Sequence, residues 1–158
     1  MNTVEEIEQA AEQLAPSDFD RLASWVSARY HDLWKRQMEH DAAAGKLDFL
    51  FNEAAAERQT GSLHDWPSDK GMTSQVTRRF WKLYHELPES VQRLAVKNYR
   101  LWRDNPHHPS LDFKKLAGSS ERFSIRVGDH YRVLGHKITN GYEWVWIGTH
   151  EDYNKLVN

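Results

Sequence analysis

The chain has 158 residues, of which 39% are hydrophobic, 28% are charged and 12% are aromatic, with seven tryptophans and no cysteine. This composition predicts one folded domain or two very small ones, and it excludes disulfides, thiolate metal sites and a cysteine nucleophile. No apolar run approaches the ~20 residues that cross a bilayer and no secretory leader is visible, so we expect a cytoplasmic protein without a membrane partner.

The net charge of −2 conceals a division near Gly71. Residues 1–71 carry seven Lys and Arg against fourteen Asp and Glu, whereas residues 72–158 carry fourteen against nine. The first part is therefore at −7 and the second at +5. Such opposed charges indicate that the two parts attract each other, or that the second part has an anionic partner.

Three amphipathic helices are predicted in the acidic part. Thr3 caps the first helix and Glu6 completes a capping box, while a Pro-Ser pair at residues 16–17 ends this helix and begins the second. Gly45 interrupts the second helix, and the third ends near Gly61. The second helix carries an apolar stripe at helical spacing, widened by Trp25 and Trp34: Phe19, Leu22, Val26, Tyr30 and Leu33.

These helices contain too few apolar residues for a large core of their own, since ~60 residues bury little surface. They either close into a separate three-helix bundle or pack their apolar faces on the rest of the chain, and we favour the second arrangement. His31 and His40 lie nine residues apart, which does not suit a shared metal ion on a helix. A helix-turn-helix stays open, although the acidic helices have the wrong charge for DNA phosphates.

Residues 62–71 are polar, contain Pro67 and Gly71 and lack an apolar period. They are predicted to link a helical domain at residues 1–61 to a second domain at residues 72–158. Ten extended residues reach roughly 33–36 Å, which is enough for the first domain to cover the second within one chain. A homodimer that exchanges the first domains is the other arrangement.

The basic part is predicted to be α+β. A short strand near Val76 precedes two helices, and Asn105–Pro109 ends the second of them. Three strands with a period of two follow, separated by turns at Gly128-Asp129 and Asn140-Gly141, and the chain closes with a short helix from His150. In the third strand, Trp144 and Trp146 are assigned to one face. Helices followed by an antiparallel meander favour an α+β fold with the acidic helices wrapped around it.

Three motifs in this basic part occur in a characteristic order: Phe113-Lys114-Lys115-Leu116, then FSIRVGDHYRV at residues 123–133, then WIGTHEDY at residues 146–153. With them, residues 73–157 resemble the RelE/ParE superfamily of bacterial toxins, including its HigB-like members. Residues 1–66 resemble the small acidic antitoxins encoded beside such toxins, partly through the AGKLD stretch at residues 44–48. The resemblance implies an antitoxin and its toxin in one polypeptide, whereas such pairs are usually two chains.

Many toxins of this superfamily cut messenger RNA in the ribosome without a metal ion or another cofactor. The resemblance therefore implies mRNA and the ribosome as partners of the released toxin. A ribose 2′-hydroxyl attacks the neighbouring phosphate, which requires cations, a proton acceptor and a proton donor. By resemblance, Arg126 and Arg132 match positions that carry catalytic or phosphate-binding cations, and arginine binds phosphate through two parallel donors.

His150 and Tyr153 lie three residues apart at the start of the last helix and so share a face. An imidazole exchanges a proton near neutral pH, and a tyrosine donates a proton or stacks on a base. Lys114, Lys115 and Arg122 are expected to guide the RNA backbone. The assignment of acid and base among His150, Tyr153 and the two arginines stays open.

Two other functions are compatible with the resemblance. ParE-like members inhibit DNA gyrase and need no nuclease site, so the basic part is alternatively a gyrase inhibitor. The third alternative is an inactive toxin relative with a regulatory role.

Overall fold

The computed structural model describes residues 3–67, 74–117, 121–139 and 141–158. The chain divides into two compact units, Met1–Arg36 and Gln37–Asn158. The larger unit therefore combines residues 37–61 of the predicted first domain with the predicted second domain. Residues 68–71 of the predicted linker lie outside the described residues.

Two helices build the smaller unit, namely α1 (Val4–Glu12) and the first three quarters of α2 (Pro16–Ala43). The Thr3 hydroxyl accepts the Glu6 backbone N–H at 3.1 Å, which confirms the predicted cap. α2 is one continuous helix of 28 residues that begins at Pro16 itself, where a missing N–H is tolerated.

The predicted apolar stripe of α2 is exposed, contrary to the expectation that it is covered. Phe19, Val26 and Leu33 each keep between 45% and 50% of their surface accessible. A different side of the same helix is buried, and it carries Trp34, Met38 and Ala42. The helical period was therefore correct, but a second row of apolar residues, at intervals of four, provides the buried face.

α2 ends before Gly45, which adopts a left-handed φ of +79° as the predicted interruption requires. The third helix, α3 (Asp48–Thr60), ends at Gly61 in the left-handed C-cap conformation. Leu50 and Ala54 of α3 are fully buried. α3 packs on the strand at Gly141–Thr149, which is the last strand in the sequence.

A sheet of six strands forms the centre of the larger unit in the described residues. The strands are β1 (His64–Trp66), β2 (Ser74–Val76), β3 (Lys114–Lys115), β4 (Arg122–Val127), β5 (Tyr131–Ile138) and β6 (Gly141–Thr149). Their order is β1-β2-β6-β5-β4-β3, and only the β2–β6 pair is parallel. The predicted three-stranded meander is confirmed as β4, β5 and β6.

Two helices pack on one face of this sheet, α4 (Arg78–Glu86) and α5 (Glu89–Asp104). Buried aromatic and aliphatic side chains from both layers form the main core, including Phe80, Tyr99, Trp102, Ile125, Val133 and Trp144. A short helix, α6 (His150–Val157), follows β6. The fold is α+β, as predicted. Crossing a membrane would need a longer and more apolar helix than any formed by the described residues.

A β-bulge corrects the predicted orientation of two tryptophans. The register of β5 with β6 shifts between Leu134 and Gly135, so Gly135 pairs with Trp144 but Leu134 pairs with Trp146. An extra residue reverses the alternation of side chains beyond it. Trp144 therefore enters the main core, whereas Trp146 lies on the other face, with its ring centroid 5.8 Å from that of Tyr153. The assignment of both rings to one face was wrong.

The segment predicted to be a linker contributes strand β1. Trp66 of β1 is 4% exposed, and its ring meets those of Phe80, Tyr84 and Tyr99 at centroid distances of 5.1, 5.5 and 5.4 Å. Three-residue strands are too short to show a period in a sequence. Trp66 therefore belongs to the main core of the larger unit, whereas His64 and Asp65 of the same strand are exposed.

Candidate functional site

The face of the sheet opposite α4 and α5 carries the predicted arginines. Arg126 of β4 pairs directly with Arg132 of β5, and Arg122 pairs with His136 in the same ladder. Directly opposed residues of an antiparallel pair point to the same face. The prediction that the two arginines lie on neighbouring strands is confirmed, and the register places their side chains beside each other.

Arg132 is completely buried on this face. Its guanidinium donates to the Ser124 hydroxyl at 3.0 Å, to the Asp112 carboxylate at 3.2 Å and to the Asp112 carbonyl at 2.6 Å. Burial lowers the pKa of Arg132 to about 10, although the charge and hydrogen bond of Asp112 oppose this shift. The group is still a cation at neutral pH, and Asp112 neutralises much of its field.

Arg126 is more accessible, with 31% of its side chain exposed. The Asp129 carboxylate lies 3.8 Å from its Nη2 atom. The Asn98 side-chain amide donates to the Arg126 carbonyl at 3.2 Å and so connects this strand to α5. Of the two paired arginines, Arg126 is therefore the one that solvent reaches.

Helix α6 places His150 and Tyr153 beside the sheet face that carries Arg132 and Trp146. Thr149 caps this helix through a capping box with Asp152, which fixes the first turn. The Tyr153 hydroxyl donates to the Asp41 carboxylate at 2.7 Å, and His150 Nε2 lies 2.7 Å from the Gln37 side-chain oxygen. Residues 37 and 41 are one helical turn apart on α2, so consecutive turns of α2 contact both predicted site residues.

Tyr153 is fully buried under this contact. Burial raises the pKa of the Tyr153 phenol well above its ordinary value of 10, and the adjacent Asp41 carboxylate raises it further. The phenol therefore stays protonated and committed to Asp41 in this arrangement.

Two of the three predicted RNA-guiding cations are also paired with acidic residues. Lys114 Nζ lies 3.2 Å from Glu39, and Arg122 donates to Asp48 at 2.6 Å. The Arg122 guanidinium additionally lies 4.3 Å from the centre of the Phe51 ring, in a cation–π contact. Lys115, the third of these cations, is exposed.

In these contacts, the partners of Lys114, Arg122, His150 and Tyr153 all come from residues 37–61, which we call the cover. The residues that contact it, on the sheet face and α6, form the covered face: Lys114, Arg122, His136, Glu143, His150 and Tyr153. A further ion pair fixes α3 of the cover at the edge of α4, where Arg79 donates twice to Glu53 at 2.8 and 2.9 Å. The cover is thus attached by carboxylates at several separate points.

In one contact the charges are reversed, because the cover provides the cation and the sheet provides the carboxylate. Arg58 of α3 donates twice to Glu143 of β6, at 2.6 and 2.7 Å, and His136 lies 2.7 Å from the same carboxylate. Glu143 is fully buried, and His136 also packs on Phe51 with ring centroids 4.9 Å apart. Sequence reasoning missed this group because its members are separated by up to 85 residues. The one available signal is a glutamate between aromatic residues within a predicted strand.

Acid is expected to weaken the folded state through Glu143. Burial alone would raise the pKa of Glu143, but the hydrogen bonds and charges of Arg58 and His136 lower it below its ordinary value of 4.5. A pKa that is lower in the folded state gives stabilisation above the unfolded-state pKa, and this is lost as pH falls through the folded-state pKa. We expect Glu143→Gln to lower the Tm near neutral pH and to reduce the further fall in Tm in acid.

Thermal unfolding followed by circular dichroism at a series of pH values measures both effects. Glu151→Gln is the matched control, because Glu151 is 81% exposed and its ion pair is with the similarly accessible Lys155 one turn away. This control should have the Tm of the unchanged protein at every pH. Equal acid sensitivity of the Glu143→Gln variant and the unchanged protein would contradict the assignment.

The described residues contain no group of three or more His, Cys, Asp or Glu side chains placed to hold a metal ion. The predicted site residues that the structure brings together are therefore cations, an imidazole and a phenol. Arg126, Arg132, His150, Tyr153, Lys114 and Arg122 lie on or beside the covered face, and Lys115 lies at the exposed end of β3.

Comparison with known proteins shows what this part of the chain is similar to. Residues 89–155 match the family described as the ParE-like toxin domain. This stretch runs from α5 to α6 and contains all seven predicted site residues. Over these residues the chain is similar to toxins of the RelE/ParE superfamily.

A solved structure is also similar. It is the crystal structure of the RelB-RelE antitoxin-toxin complex from Methanococcus jannaschii, which is 15% identical, with a TM-score of 0.44 over 52% of this chain and 98% of that chain. No curated protein matches the sequence.

Proposed function

We propose that the part of the larger unit beyond the cover is a toxin that cleaves messenger RNA without a metal ion, with the ribosome as its site of action. The cover keeps this toxin inactive within the same chain, as a built-in antitoxin. One observation carries the proposal: four of the seven predicted site residues are bonded to the cover, namely Lys114, Arg122, His150 and Tyr153.

The electrostatics of these contacts support inhibition by occlusion. RNA binds to proteins mainly through its phosphates, which need free lysine and arginine side chains. Glu39 and Asp48 form ion pairs with two such cations, Lys114 and Arg122. RNA would have to displace both carboxylates to bind these cations. A cover tethered to its target competes at an effective concentration of about millimolar or more, which favours the closed form strongly.

The cleavage step assigns a role to each residue at the site. The ribose 2′-oxygen attacks the neighbouring phosphorus, the bond from phosphorus to the 5′-oxygen breaks, and a 2′,3′-cyclic phosphate remains. His150 takes the 2′ proton, and Tyr153, once Asp41 has left, gives a proton to the 5′-oxygen. Arg126 contacts the phosphate, and Arg132 adds positive charge from below while it holds the strands in register.

Inhibition of DNA gyrase is the second candidate function, and Arg132 favours it. Its hydrogen bonds to Ser124 and Asp112 are those of a structural residue. The basic part of the chain resembles the RelE/ParE superfamily, and ParE-like members of that superfamily inhibit gyrase without a nuclease site. In that case the covered face binds a protein surface, and His150 and Arg126 contribute contact area only.

Expression of residues 62–158 without residues 1–61 tests the proposal, because this fragment keeps strand β1. We expect growth arrest with cleaved messages, and co-expression of residues 1–61 as a separate chain should restore growth. His150→Ala or Arg126→Ala should abolish both cleavage and arrest. Lys82→Ala, which removes an exposed cation from α4 on the other side of the sheet, is the control and should change neither.

Each other outcome has a definite meaning. Growth arrest with intact messages and impaired supercoiling would replace the nuclease by the gyrase inhibitor. A soluble, folded fragment that leaves growth unaffected would contradict both and would identify an inactive relative with a regulatory role.

A further inference from the structure

The smaller unit, Met1–Arg36, exposes an unusual amount of apolar surface. Val4 and Trp25 are 67% and 64% exposed, and Ile7, Phe19, Val26 and Leu33 are each about half exposed. Single exposed apolar residues are ordinary on protein surfaces, but a contiguous group marks an interaction site. None of these residues belongs to the covered face or the cover, so the proposed function does not account for them.

Helix α1 needs an additional surface to be stable. It has nine residues, none of which is buried. Isolated helices shorter than about 12–15 residues are marginal in water, and packing of an apolar face supplies most helical stability in proteins. The two most apolar side chains of α1, Val4 and Ile7, instead face solvent.

The stripes on α2 of two copies of the chain fit each other when the copies are related by a two-fold axis. Phe19, Leu22, Val26, Tyr30 and Leu33 recur at intervals of three and four residues, which places them on one face. Val26 is the midpoint of this set. An antiparallel second copy of the helix centred there brings Phe19 opposite Leu33 and Val26 opposite Val26 of the other copy. Such a face is self-complementary, as an isologous dimer interface requires.

Charge along the unit favours the same antiparallel arrangement. Residues 3–20 carry six carboxylates and no Lys or Arg, whereas residues 21–36 carry four Lys and Arg and one carboxylate. Antiparallel pairing places each acidic end near the basic end of the other copy, while parallel pairing places like charges together. Complementary potentials of this kind set the orientation of an interface.

The exposed area is of the size that a stable dimer needs. Eight large apolar side chains of the unit, about half exposed on average, offer roughly 700 Å² per copy, and a standard interface buries about 800 Å² per partner. Trp25, the most exposed aromatic residue, points about 100° away from Val26 around the helix and so borders the stripe, where it widens the exposed apolar surface.

We propose that the smaller unit is a dimerisation module: two copies of the chain associate through the α2 stripes of Met1–Arg36, antiparallel about Val26, with α1 of each copy completing the interface. This dimer does not require the exchange of first domains considered from the sequence. It also does not depend on the proposed toxin activity, because none of its contacts involves the covered face.

The molar mass of the full-length protein in solution tests the proposal, measured by light scattering after size-exclusion chromatography. We expect twice 18.6 kDa for the unchanged chain and 18.6 kDa for Val26→Glu. A residue on the axis meets its own copy, so this single change places two carboxylates together in an apolar contact. High salt should also weaken the dimer, because the charged ends attract.

Ala28→Glu is the matched control. It adds the same charge two residues away on the opposite side of α2, at an exposed position, and the dimer should persist. A monomeric unchanged protein at high concentration would overturn the proposal. An oligomer that survives Val26→Glu would overturn it as well.

Thiol cross-linking tests the orientation, and the absence of native cysteines makes every introduced cysteine unique. A short bifunctional thiol reagent should join Val26→Cys chains to each other and Phe19→Cys chains to Leu33→Cys chains. It should not join Phe19→Cys chains to themselves. Efficient cross-linking of Phe19→Cys to itself would contradict the antiparallel arrangement.

Discussion

Replacement of Leu50 by glutamate in the full-length chain is expected to convert a harmless protein into one that arrests growth. Leu50 is completely buried on α3 of the cover and is not part of the main core on the other side of the sheet. An unpaired carboxylate at this position opposes docking of α3 by more than about 3 kcal/mol, since its burial would require loss of hydration. The cover should therefore open while the fold beneath it persists.

Asn52→Glu is the control for this prediction, because it adds the same charge at an exposed position of the same helix. It should remain harmless. Adding His150→Ala to the Leu50→Glu chain should restore growth if the nuclease is responsible. Near-ultraviolet circular dichroism of the tryptophan core distinguishes an opened cover from general unfolding. Harmless expression of a Leu50→Glu chain with an intact core and an open cover would contradict the inhibitory role.

Removal of the Trp66 side chain is expected to lower the free energy of unfolding more than the His64→Ala or Glu143→Gln substitution. Its ring fills the space among Phe80, Tyr84 and Tyr99, and it is 4% exposed. Truncation of a buried aromatic residue to alanine costs about 3–5 kcal/mol, through lost burial and the cavity that remains. Urea unfolding of Trp66→Ala should show a lower midpoint with a similar slope.

His64→Ala serves as the comparison on the same strand. The His64 ring stacks on Trp81 at a centroid distance of 4.3 Å but is exposed, so its removal should cost less than ~1 kcal/mol. Equal losses in the two variants would show that β1 does not belong to the core. For the same reason, a fragment beginning at residue 72, after β1, should be less stable than one beginning at residue 62.

Local signals in the sequence were sufficient for the elements that depend on local chemistry. Thr3 with Glu6, Gly45 and Gly61 marked helix ends because capping and left-handed φ are decided within a few residues. Strands β4 and β5 were visible because their alternation spans five or more residues. The hairpin into β6 was marked by Gly141, and the other residue of that signal, Asn140, lies outside the described residues.

The features that sequence reasoning missed depend on distant partners. The local signal of the bulge at Leu134 and Gly135 is a single glycine within a strand, which does not show that Trp146 moves to the other face of the sheet. Glycine at position 135 is required there, since a Cβ atom would lie 2.5 Å from the Trp144 ring. Strand β1 exists because Trp66 finds a place among rings that are up to 33 residues away.

The candidate site shows the same limit. Motif order and charge located Arg122, Arg126, His150 and Tyr153 on neighbouring elements, but the burial of Arg132 depends on Asp112, which lies in a loop with a positive φ of +43°. The opposed charges of the two parts predicted attraction without indicating that only residues 37–61 would contribute the contacts described here. The exposed stripe of α2 could not be distinguished from a core stripe by its period alone.

Under the proposed function, the reversed ion pair between Arg58 and Glu143 would discriminate between related inhibitors. A purely acidic helix would be attracted to any basic toxin, because long-range attraction carries little information about the partner. An inhibitor without a cation at the position of Arg58 would leave Glu143 buried opposite an incomplete set of donors, a penalty that breaking a buried pair typically sets at about 3–5 kcal/mol. Under the proposed function, Glu143 would therefore let the toxin reject antitoxins that match its overall charge but lack this one complementary group.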